Sequence, residues 1–354
     1  MVDLATRAEL ATAGVRLPAP VRRRGGAGPS DDGHVLLGER AAALPLVEDS
    51  PWVATPDGEA VVHTGDPRRR IPLRTVGRPR FYDLETADGI RYDQLARLHG
   101  SDVLATTVVQ TCIRYDEADR CRFCAIEESL RSGATTRVKT PAQLAEVTEA
   151  AVRLDGIRQV VLTTGTSAAA DRGARYLARC VAAITAAVPG LAVQVQCEPP
   201  ADLAVLTELR DAGATAIGIH VESLDDDVRR RWMPGKATVP LDAYWAAWHE
   251  AVRVFGANRV STYLLVGLGE DPDELVAGAA ALIEAGVYPF VVPFRPLAGT
   301  LADRDGATAP TAGHLAAVTE QVAAELRRHG MRGADQGAGC AACGACSALA
   351  DGGG

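Results

Sequence analysis

Eight cysteines occur in the 354 residues, and six fall in two tight groups: Cys112, Cys121 and Cys124, then Cys340, Cys343 and Cys346. In a reducing compartment such grouping reads as metal binding before it reads as a disulfide framework. Three thiolates in one loop can hold three irons of a 4Fe–4S cluster and leave the fourth open, just as a catalytic zinc keeps one position free. A structural zinc needs four ligands. The first group offers three cysteines, and the nearest histidine, His99, lies upstream of the strand that leads into the loop. The second group, Cys340-Ala-Ala-Cys343-Gly-Ala-Cys346, has the spacing and small residues of an iron–sulfur loop but no fourth cysteine. An auxiliary cluster there takes a ligand from elsewhere or presents an open iron to substrate. A zinc clip with a distant ligand and a tail of plain thiols are the alternatives. Cys180 and Cys197 stand alone and read as core thiols.

The first group must be positioned by the elements around it. From about 101 to 300, strand-like runs alternate with amphipathic stretches. The predicted strands are Val103–Thr111, Gln159–Thr163, Ala192–Cys197, Ala216–Val221, Val260–Val266 and Tyr288–Phe294. Helices are predicted over 141–154, 171–187, 200–211, 224–232, 240–255 and 271–285. The first has Thr140 ahead of Pro141, with Gln143 completing a capping box. Strict alternation implies an α/β fold with a parallel sheet, and a partial (β/α)6 barrel of TIM type is its natural closure. A flat doubly wound sheet would give the same string. Cys112 directly follows the first strand, and loops at the carboxyl ends of parallel strands form the active face of such folds.

Three segments are expected: an N-terminal β-rich extension over 1–100, the barrel over 101–300, and a C-terminal helix with the cysteine-rich tail over 301–354. In the extension, short apolar runs (Val35–Leu37, Ala60–His63, Ile71–Val76) are separated by turn-forming clusters such as Gly25–Gly33. Arg68–Arg70 reads as a solvated loop and Tyr92–His99 as a short helix. The Gly- and Ala-rich tail has little apolar bulk, so something besides a core must order it. A helix near 310–329 is expected to bring it back across the open mouth of the barrel.

Strand alternation marks two polar faces. Gln194, Gln196 and Glu198 share one on the third strand, and Gly218, His220 and Glu222 share one on the fourth. A polar strand face between helices is costly unless it lines a wet or ligand-filled space. Glu198 is therefore placed nearest a substrate. The formal charge of −8 argues against a nucleic-acid surface. No run of about 18 apolar residues suggests a membrane span, and the first twenty residues lack the apolar region of a secretory signal, so a cytoplasmic location is expected. Only two lysines occur, Lys139 and Lys236, which reads as coding bias towards arginine.

The ending Cys121-Arg122-Phe123-Cys124 resembles the cluster loop of the radical S-adenosylmethionine (SAM) superfamily, where the aromatic packs beside adenine. The first gap is eight residues here, longer than the usual three. The resemblance extends over roughly 103–300 and implies further roles. Thr164 and Gly165 stand where that superfamily binds the methionine amino group, and Glu222 where it meets the ribose. Gly267 begins a G-x-x-E ending near the adenine. Val292 lies on a closing strand similar to that of the biotin-synthase-like branch. The whole chain is most similar to the actinobacterial radical SAM family encoded beside nitrilase-type hydrolases in cyanide-assimilation gene clusters. That similarity rests on TCIRYDEADRCRFCAIEESL, QVQCEPP, HVESLDDDVRRRWMPGK and GCAACGACSAL. It implies a 4Fe–4S cluster and SAM as cofactors, an external low-potential donor of ferredoxin or flavodoxin type, and hydrogen abstraction from a small polar substrate, nitrogen- or nitrile-related. The rival from another class is a non-catalytic zinc-binding or iron–sulfur electron-carrier protein.

Overall fold

Asp3 accepts the Thr6 N–H at 2.7 Å and starts α1 (Leu4–Ala13). The computed structural model describes residues 2–18 and 34–351, so the Gly25–Gly33 cluster lies outside the described residues. Six short strands follow: β1 (His34–Leu37), β2 (Arg40–Ala43), β3 (Trp52–Ala54), β4 (Ala60–His63), β5 (Asp66–Pro72) and β6 (Arg74–Thr75). They pair as two antiparallel sheets, β2-β1-β6 and β3-β4-β5, around Leu10, Val15, Leu37, Trp52 and Val61. Arg68–Arg70 belongs to β5 and is not a loop. Its middle arginine explains why: Arg69 lies 4.8 Å over the Trp52 ring and pairs with Glu9 at 2.5 Å. The helix expected over Tyr92–His99 is shorter, because α2 (Tyr92–Leu95) stops at an extended Ala96. The chain then forms β7 (Arg97–His99), antiparallel to β8 (Val103–Thr107).

From β8 the alternation runs as its sequence predicts. After α3 (Glu128–Arg131), the Thr140 capping box opens α4 (Pro141–Asp155), and Gly156 closes it in the left-handed conformation that an L side chain resists. There follow β9 (Gln159–Thr163), α5 (Ala174–Ala187), β10 (Ala192–Gln196), α6 (Val205–Asp211), β11 (Ala216–Gly218), α7 (Asp226–Trp232), α8 (Pro234–Ala237) and α9 (Leu241–Phe255). Then come β12 (Val260–Val266), α10 (Pro272–Glu284), β13 (Val287–Pro293), α11 (Leu301–Arg304), α12 (Ala312–Arg328) and α13 (Cys340–Cys343). Strands β8 to β13 are parallel and lie in sequence order, with β7 as an antiparallel edge. This is a partial TIM-type barrel with a cysteine-rich C-terminus. Helices cover the outer face: Leu144, Val147 and Ala151 of α4, and Leu177, Val181 and Ile184 of α5, are buried. Each fully buried aliphatic side chain contributes roughly 1.5–3 kcal/mol. Cys180 of α5 is a core thiol.

The tail does not cross the barrel mouth. Helix α12 returns the chain to the amino ends of the strands, where Asn258 Nδ2 donates to the Arg332 carbonyl at 3.0 Å. The Gly339 N–H then donates at 2.8 Å to Gln159 Oε1, on the first residue of β9. From there the tail spans the sheet's two edges. Ser347 Oγ donates to the Val291 carbonyl of β13 at 2.6 Å, and Gly100, just after β7, lies so close that a Cβ there would sit 3.0 Å from Cys343 Sγ. The N-terminal extension holds the same segment. The Ala43 N–H donates to the Ala345 carbonyl at 2.9 Å, and Arg7 reaches the Ala41 carbonyl at 2.6 Å and that of Ala345 at 3.4 Å. Ala338, Ala341, Ala345, Ala348 and Leu349 are buried. Small residues order this tail because they fit where larger ones would clash.

Candidate functional site

The loop after β8 is stitched to its neighbours on both sides. On one side, the Gly165 N–H donates to the Val109 carbonyl at 2.8 Å and the Ile113 N–H to the Thr166 carbonyl at 3.0 Å. A Cβ on Gly165 would sit 2.1 Å from the Thr111 carbonyl oxygen, so only glycine permits this approach. On the other side, the Gly235 N–H donates to the Asp119 carbonyl at 2.9 Å, and the Arg122 N–H to that of Trp232 at 2.8 Å. The long first gap between cysteines therefore wraps against α7 and α8.

Cys112, Cys121 and Cys124 line one cavity of about 210 Å³, together with Phe123, Thr164, Gly165, Glu198 and Glu222. The sequence singled out all eight. Among the described residues, no group of three His, Cys, Asp or Glu side chains converges as ligands of a single ion do. The three thiols share a cavity wall, which suits a cluster whose irons stand apart. Burial raises the pKa of Cys121 and pushes Cys124 up to about 11. Ligation by metal is what would deprotonate such thiols at neutral pH.

Two ion pairs that the sequence did not reveal cross this cavity. Glu198 accepts from Arg114 Nη2 at 3.0 Å and from Thr166 Oγ1 at 2.7 Å, so both its oxygens are engaged with the cysteine loop and the β9 turn. Glu222 accepts from Lys236 Nζ at 3.0 Å. Burial pulls the Lys236 pKa down, but Glu222, followed by Tyr244 and Cys121, outweighs it, and the net direction is up. Glu222 sits at φ 69°, a left-handed conformation that costs a non-glycine residue roughly 1–3 kcal/mol. Two backbone bonds to β12 hold it there, from its N–H to the Tyr263 carbonyl at 3.1 Å and from the Leu265 N–H to its own carbonyl at 2.9 Å.

His220 lines the same cavity, and burial depresses its pKa to about 3. Its Nδ1 accepts the Tyr263 N–H at 3.2 Å, which leaves the proton on Nε2, a buried atom with no partner. Gly218 makes the room, since a Cβ there would lie 2.5 Å from the imidazole Cε1.

A second cavity of about 430 Å³ adjoins the first and shares Phe123, Cys124, Thr163 and Glu222 with it. Val292 lines this one, and so does Cys346 of the tail. Gly267 lines neither. It packs under Pro310, with its N–H donating to Glu270 Oε1 at 2.7 Å. Cys340 lies below, bonded to Tyr263 and Gln196, and Cys343 faces Gly100. The polar face predicted on the third strand is only partly a ligand wall. Gln194 is fully buried against Gly339, where a Cβ would lie 2.2 Å from its Cδ, so the chain itself fills that part. Cys197 is buried but borders the cysteine cavity.

Arg114, Thr166, Lys236 and Tyr263 were missed because their roles depend on contacts between distant segments. One signal was available. Both lysines of an otherwise arginine-only chain are buried, Lys139 at 1% and Lys236 at 8% exposure, where a compact ammonium replaces a guanidinium.

No helix among the described residues is long and apolar enough to cross a membrane. The family model described as Radical SAM superfamily matches residues 118–282. Bacteriochlorophyllide c C-7(1)-hydroxylase of Chlorobaculum limnaeum is 30% identical over 127 residues, 35% of this chain and 31% of that protein. Among solved structures, methylornithine synthase is 17% identical with a TM-score of 0.43, covering 63% of this chain and 65% of that one. The FeFe-hydrogenase maturase HydG from Carboxydothermus hydrogenoformans is 18% identical with a TM-score of 0.48, covering 64% and 50%. The chain thus spans about a third of the curated relative and less than two thirds of either solved chain. The stretch that matches the superfamily model is under half of the chain, and it contains two of the three loop cysteines and every strand from β9 to β12.

Proposed function

We propose that this protein binds a 4Fe–4S cluster through Cys112, Cys121 and Cys124 and uses SAM to abstract hydrogen from a small polar substrate. When bound, the cluster supplies the low-potential electron that cleaves SAM reductively to a 5′-deoxyadenosyl radical. The observation that carries this reading is the convergence of three thiols, Phe123, the Thr164-Gly165 turn and Glu222 on one cavity. Phe123 offers a ring for adenine, Thr164 and Gly165 accept from an ammonium, and Glu222 accepts from ribose hydroxyls while Lys236 fixes its orientation. Glu198 positions the cysteine loop through Arg114, and it lines the cysteine cavity rather than the larger one. The substrate occupies the larger, mostly apolar cavity, whose walls exclude water from a reactive intermediate.

Cys340, Cys343 and Cys346 hold a second iron–sulfur cluster beside that cavity, which Cys346 lines. The likeness of the whole chain to the family associated with cyanide assimilation points to a nitrogen- or nitrile-related substrate, and an external low-potential donor of ferredoxin or flavodoxin type delivers the electron. Anaerobic incubation with SAM and dithionite, assayed for 5′-deoxyadenosine, tests the reading. A brown protein that forms it supports the proposal. A colourless protein with bound zinc that forms none supports a non-catalytic metal protein.

A further inference from the structure

Two barrel side chains direct hydrogens at one sulfur of the tail. Tyr263 Oη lies 2.8 Å from Cys340 Sγ, and Gln196 Nε2 lies 3.3 Å from the same atom. The amide nitrogen is a donor only, and it also reaches Gln194 Oε1 at 2.9 Å. Neither group belongs to a mobile surface. The Tyr263 ring stacks on His220 with centroids 4.0 Å apart and planes at 16°, and Gln196 is 7% exposed. The strands fix both positions, Gln196 at the end of β10 and Tyr263 in the middle of β12.

The tail sulfur is held to meet them. The Gly339 N–H is tied to Gln159, and the positive φ of Gly339 lets the backbone press against Gln194. A neutral thiol is a weak acceptor and has no need of two converging donors, whereas a metal-bound thiolate keeps lone pairs that take hydrogen bonds. We propose that Tyr263 and Gln196 are positioning residues that hold Cys340 as a ligand of the tail cluster and set the reduction potential of that cluster. Hydrogen bonds to cluster sulfur stabilise the reduced, more negative state and so raise the potential. This inference rests on the proposed second cluster and adds which ligand is tuned, and by what.

The test is a redox titration, followed by electron paramagnetic resonance, of reconstituted wild type, Tyr263→Phe and Gln196→Leu. With two 4Fe–4S clusters, about eight irons per chain are expected in all three proteins. The midpoint of the tail cluster should move to a more negative potential in each variant, while that of the loop cluster stays in place. An unshifted midpoint in both variants with iron retained overturns the inference. Should a variant fail to hold iron, the wild type alone decides. After transfer to heavy water, its reduced tail cluster should show coupling to exchangeable deuterons in a pulsed experiment, and no such coupling overturns the inference. A wild type that binds only about four irons overturns the second cluster itself, and that result is distinguishable from a failure of the tuning.

Discussion

Glu222 Oε1 and Lys236 Nζ face each other at 3.0 Å beside the three loop cysteines, with side-chain exposures of 12% and 10%. One partner sits at a strained backbone position beyond the end of β11 and the other on α8, so the pair ties the wall of the cavity together. Removing the carboxylate leaves a buried ammonium without its partner, a loss of about 3–5 kcal/mol. Glu222→Ala should therefore lower both stability and SAM affinity. Glu222→Gln keeps an acceptor for Lys236 and should fold better, yet still bind SAM more weakly. Calorimetry for SAM binding beside urea unfolding separates the effects. Unchanged SAM affinity in Glu222→Gln would remove the ribose role.

Glu198 makes a different prediction, because its two oxygens serve Arg114 and Thr166. Glu198→Ala should loosen the cluster loop and speed loss of iron to a chelator, with Arg114→Ala reproducing the effect. Iron release at the wild-type rate in both variants would show that the pair does not anchor the loop.

Gly165 tests the docking of that loop through the backbone. A methyl group there meets the Thr111 carbonyl oxygen at 2.1 Å, and backbone cannot move aside as a flexible side chain can. Overpacking of this kind typically costs about 1–3 kcal/mol. Gly165→Ala should reduce iron incorporation into the loop cluster, while Gly133→Ala, at an open position with a positive φ, should leave it unchanged.

Acid should destabilise the apoprotein through partly buried, neutral histidines. Burial holds His34 at about 4, and His99 and His220 at about 3. The unfolded chain takes up these protons near pH 6.5 and the native state does not, so the stability they contribute is intact above pH 6.5. It is lost progressively as pH falls from 6.5 towards 4. Urea midpoints should drop between pH 7 and pH 5, and the drop should shrink in His220→Gln. A midpoint that rises on acidification would contradict the assignment.

The sequence made much of this legible for physical reasons. Capping by Thr140 and the strand–helix alternation announce themselves locally, so β9 and β12 match their expected bounds. The fourth strand was expected to reach Val221 but ends at Gly218, where His220 turns towards Tyr263 and the ladder opens. The loop cysteines were legible from residue type and spacing. The path of the tail was not, because it depends on α12 returning to the amino ends of the strands and on Ala43 and Arg7, some three hundred residues away, holding Ala345. Lys236 is marked in the sequence only by the rarity of lysine.

Cys112 offers the most direct test of the central claim, because it lies six residues ahead of the segment that matches the superfamily and is tied to the site by the cavity it lines. The measurement is 5′-deoxyadenosine formed by anaerobically reconstituted wild type and Cys112→Ala, each incubated with SAM and dithionite. The wild type should form it, and Cys112→Ala should form none while keeping the iron of its tail. Formation at the wild-type rate in Cys112→Ala, or none in an iron-loaded wild type, would contradict the three-cysteine site.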